Sequence, residues 1–115
     1  MTFELVDLEE LGEKALDDFT RTVGRVQPGA AEAFADAIGS LVTKVEFTYA
    51  VAAKLAHREQ TVEGTAAIWA KMVALCDQMA AQVKRLELEH PGGEASFDRI
   101  LDLRNAAERR RELHS

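Results

Sequence analysis

The chain is poor in the residues that punctuate or staple a fold. Among 115 residues there are one cysteine, two prolines, seven glycines, one tryptophan and one tyrosine. A lone cysteine, Cys76, excludes an intramolecular disulfide and any Cys-x-x-Cys metal or redox motif. The sequence has no glycine-rich phosphate loop, no His-Glu-x-x-His and no nucleophile elbow. With three histidines, the inventory of catalytic groups is thin, and the sequence points away from an enzyme. No apolar stretch approaches the ~20 residues of a membrane span. Met1–Asp7 lacks the basic start and apolar run of a signal peptide. The expectation is a soluble, cytoplasmic protein without a cofactor.

Positive charge is also scarce. Twenty acidic residues oppose fourteen basic ones, a net charge of −6, and the excess is concentrated in residues 1–27. An acidic chain is a poor partner for nucleic acid or an anionic membrane. The single basic run, Arg109-Arg110-Arg111, is flanked by Glu108 and Glu112 and has no interleaved aromatics. It reads as a solvated helix end, favoured by the helix dipole.

What is abundant is alanine, leucine, glutamate, lysine and arginine, which lose little on entering a helix. Apolar side chains recur with a period of about 100° per residue throughout. The first segment, 5–26, places Leu5, Leu8, Ala15, Leu16, Phe19, Val23 and Val26 on one face. Glu10–Lys14 and Asp17–Arg21 are spaced for pairing on the other. Asp7 or Thr2 is positioned to cap its start, and Pro28-Gly29 ends it. The second, 30–57, carries a heptad-like stripe of Phe34, Ile38, Leu41, Val45, Thr48, Ala52 and Leu55. The third, 62–89, carries Thr65, Ile68, Met72, Cys76, Met79, Val83 and Leu86.

The second and third stripes cannot belong to one rod. In a common helical frame their centres differ by nearly half a turn, so a continuous helix would swap its apolar face midway. A break within His57–Gly64 is predicted, with Thr61 as N-cap of the returning helix. His90-Pro91-Gly92-Gly93 is the next stop signal. Ser96 then caps a last helix, 97–113, with a weaker face of Phe97, Ile100, Leu103 and Ala107. The predicted fold is all-α: one domain, an up-and-down bundle of four helices with a long central antiparallel hairpin and shorter flanking helices.

The central helices carry apolar residues on their backs as well, including Phe47 and Val51, and Ala66, Ala70, Ala74, Ala81 and Leu88. Such helices are covered by neighbours or by another subunit. The sequence therefore points to an interaction protein that self-associates, a two-fold dimer by default, with room for a protein partner. Phe47, Val51, Tyr49 and Trp69 are the candidate interface anchors, since large aromatic residues concentrate binding energy.

Two other readings stay open. Glu87 and His90 form a Glu-x-x-His step, the half-site of a di-metal carboxylate bundle, with Glu32, Asp98 or Asp102 as a further ligand. The alternative for the pair is a helix C-terminus with a dipole-compatible histidine. A small-molecule sensor or carrier would line an internal cavity with Met72, Met79 and Trp69. Glu46, at the edge of the core face with Val42 and Ala50 four residues either side, is a candidate unpaired carboxylate. The alternative there is a basic partner from another helix. His57 and Cys76 read as a helix end and a core residue.

Overall fold

The computed structural model describes residues 4–88 and 94–114, and in the last helix the side chains from 98 onward. Four helices follow in order: α1 (Leu5–Val23), α2 (Ala31–Arg58), α3 (Val62–Glu87) and α4 (Glu94–Leu113). Among the described residues there is no strand. The helices pack on one another as an all-α four-helix bundle.

The chain turns back where the apolar stripe changes phase. α2 stops at Arg58 and α3 starts at Val62, with Thr61 as N-cap, its Oγ1 accepting the Gly64 N–H at 2.9 Å. Every member of the α2 stripe is buried, from Phe34 to Leu55. So is the α3 stripe from Thr65 to Val83, with Leu86 half-buried at its end. Full burial of one such large apolar side chain contributes about 1.5–3 kcal/mol. Two hydroxyls lie within these stripes and are satisfied locally. Thr48 Oγ1 donates to the Lys44 carbonyl at 2.7 Å and Thr65 Oγ1 to the Thr61 carbonyl at 2.9 Å.

The flanking helices lie on opposite sides of the hairpin. α1 packs on α2 and, more lightly, on α3; α4 packs on α3 and α2; α1 and α4 do not meet among the described residues. Gly12 allows the α1–α3 approach, because a Cβ there would overlap Leu75 Cδ2 and lie 2.9 Å from Cδ1. Phe19 meets Phe34 across α1 and α2, with ring centroids 6.2 Å apart. Each flanking helix is also tied to each arm by an ion pair. For α1 these are Asp18–Lys44 at 3.2 Å and Glu9–Lys71 at 2.7 Å; for α4, Arg99–Glu46 at 3.1 Å and Arg104–Asp77 at 3.0 Å. Exposed pairs of this kind are worth about 0–1 kcal/mol each, so they orient the helices more than they hold them.

Several boundaries differ from expectation. α1 ends at Val23, three residues early, and Val26 lies in the connection to α2. Gly29 adopts φ 82°, a left-handed turn that glycine enters without steric cost. Asp7 is not the N-cap: Glu4 is, and its backbone N–H donates to Asp7 Oδ2 at 2.8 Å from three residues away. Thr2 lies outside the described residues. α4 begins at Glu94, so Ser96 is inside the helix rather than its cap. The spacing pairs on α1 do not form either. Arg21 turns to Asp18 at 3.8 Å instead of Asp17, because Asp18 is already fixed by Lys44 and offers a preordered carboxylate.

Candidate interaction surface

The four predicted anchors do not share one surface. Val51 is 3% exposed and Trp69 1%, so both belong to the core of the single chain. Tyr49 is half-buried, its ring centroid 5.2 Å from that of Trp69. Only Phe47 is at the surface, 53% exposed. The back of α2 is thus split: Val51 turns inward, while Phe47, one helical turn away, stays at the edge.

Phe47 lines a groove between α1 and α2. Its walls are Leu11, Lys14, Ala15 and Asp18 from α1 and Thr43, Lys44, Phe47 and Thr48 from α2, enclosing ≈ 390 Å³ open to solvent. The lining is mostly carbon: Leu11, Ala15 and Phe47, with the Lys14 and Lys44 stems. The Asp18–Lys44 ion pair is among its lining residues. The sequence offered half of this site. It placed Phe47 outside the stripe, but which residues of α1 would flank it depends on how α1 crosses α2, and periodicity does not specify a crossing.

Two further hollows of ≈ 370 Å³ each lie at the ends of the bundle. One is bounded by Leu5, Leu55, Arg58, Glu59 and Ile68 near the α2–α3 turn, the other by Val23, Val26, Pro28, Arg85 and Leu86. None of these three is lined by Met72, Met79 or Trp69, the residues of the expected internal cavity. Those side chains are 0–1% exposed and pack within the core.

Glu46 is not an unpaired carboxylate. Its Oε2 accepts from Arg99 of α4 at 3.1 Å, a partner invisible to a search along its own helix. Of the Glu-x-x-His step, Glu87 is the half-buried last residue of α3, and His90 lies outside the described residues. Glu32, Asp98 and Asp102 are all exposed. Among the described residues no three of His, Cys, Asp and Glu come together as a metal site. His57 is exposed in the last turn of α2.

Cys76 is buried, and burial, with the neighbouring Asp77, pushes its thiol up to about 12 against a partial offset from Arg104. A thiol so held is a core hydrophobe and a poor nucleophile at neutral pH. In the basic run Arg109 and Arg110 are exposed, Arg110 lying over the Trp69 ring, and the half-buried Arg111 pairs with Glu108. No helix among the described residues is long and apolar enough to cross a membrane. The chain matches no protein-family model, no curated protein and no solved structure.

Proposed function

We propose that this protein is a non-enzymatic interaction module, a cytoplasmic helical bundle that associates with itself and offers an apolar helix face to a protein partner. The observation that carries this reading is the α1–α2 groove. It presents a half-exposed phenylalanine beside Leu11 and Ala15 on a molecule whose other large aromatics, where described, are buried or half-buried. Apolar troughs with an aromatic at the edge are where helical partners dock. The chemistry elsewhere supports the same reading: the thiol is buried and the candidate carboxylate Glu46 is neutralised by Arg99. One unpaired cysteine in an otherwise disulfide-free chain suits a reducing compartment.

Sedimentation velocity of the purified chain across the micromolar range tests the proposal. A reversible monomer–dimer equilibrium, weakened by Phe47→Asp without loss of helical circular dichroism, is the expected result. A chain that stays monomeric at high concentration and captures no partner through this face would refute it.

A further inference from the structure

We draw no further inference here: the strongest candidate, the open apolar groove between α1 and α2 beside Phe47, belongs to the surface already described, and nothing in the structure shows what covers it.

Discussion

The guanidinium carbon of Arg110 lies 5.0 Å from the centroid of the Trp69 ring, and the Tyr49 ring stands at 50° to the same indole. One side chain, 1% exposed, therefore joins α2, α3 and α4. Arg110, itself exposed, lies over the indole near the end of α4, where the described buried residues of that helix are only Ile100, Leu103 and Ala107.

Replacing Arg110 by alanine should lower the unfolding free energy by about 0.5–1 kcal/mol, the range for a cation–π contact made by an exposed cation. Emission from Trp69 should shift to the red as water reaches it. Lysine at 110 should recover part of the loss, since it keeps the charge but not the planar stacking. Denaturant melts followed by fluorescence measure both. Equal stability of the alanine variant and the native chain would mean that the contact is incidental.

Two helical glycines should respond oppositely to substitution. A Cβ on Gly39 meets nothing within 4 Å, so Gly39→Ala should stabilise the protein by about 0.5–1 kcal/mol through helix propensity alone. Gly12 is buried against Leu75, and Gly12→Val should cost about 1–3 kcal/mol by forcing α1 from α3. Thermal melts of the pair check the sign of each.

Glu59 should make a small contribution to acid sensitivity. Its carboxylate accepts the backbone N–H and hydroxyl of Thr61, each at 3.1 Å, and the backbone N–H of Gln60 at 3.0 Å. These bonds, the Thr61 amide first, lower its pKa from the ordinary 4.5. A carboxylate depressed in the folded state adds stability above its unfolded pKa and loses it as pH falls through the folded value. Glu59→Gln should therefore flatten the stability–pH curve below pH 4.5 and loosen the α2–α3 turn. Urea midpoints across that range, wild type against variant, provide the comparison; parallel curves would remove the turn from the account.

Cys76 should act at the alkaline end. Its folded pKa of about 12 stands above the ordinary 9.0, so burial favours the protonated thiol. Stability supplied by a raised pKa is complete below the unfolded value and declines as pH rises between 9.0 and about 12. Cys76→Ala should lose this alkaline slope, at the expense of a small cavity. In the native chain a thiol reagent at pH 8 should react only as fast as the protein opens. Labelling as rapid as that of a free thiol would contradict the burial.

The sequence by itself determined the helices, the turn near Thr61 and the inward stripes, because both the 3.6-residue period and a change in its phase are properties of a local string. It also confined Cys76, Met72 and Met79 to the core, since they sit on those stripes. It could not say that Glu46 has Arg99, that Val51 turns inward while Phe47 does not, or that Arg110 covers Trp69. Each of those depends on where α1 and α4 lie against the hairpin, 53 residues apart in the case of Glu46 and Arg99. Such placement is decided by side-chain volumes meeting across helices, with the missing Cβ of Gly12 opposite Leu75 as one example. Periodicity along one helix carries no record of what stands opposite it; only packing in three dimensions does.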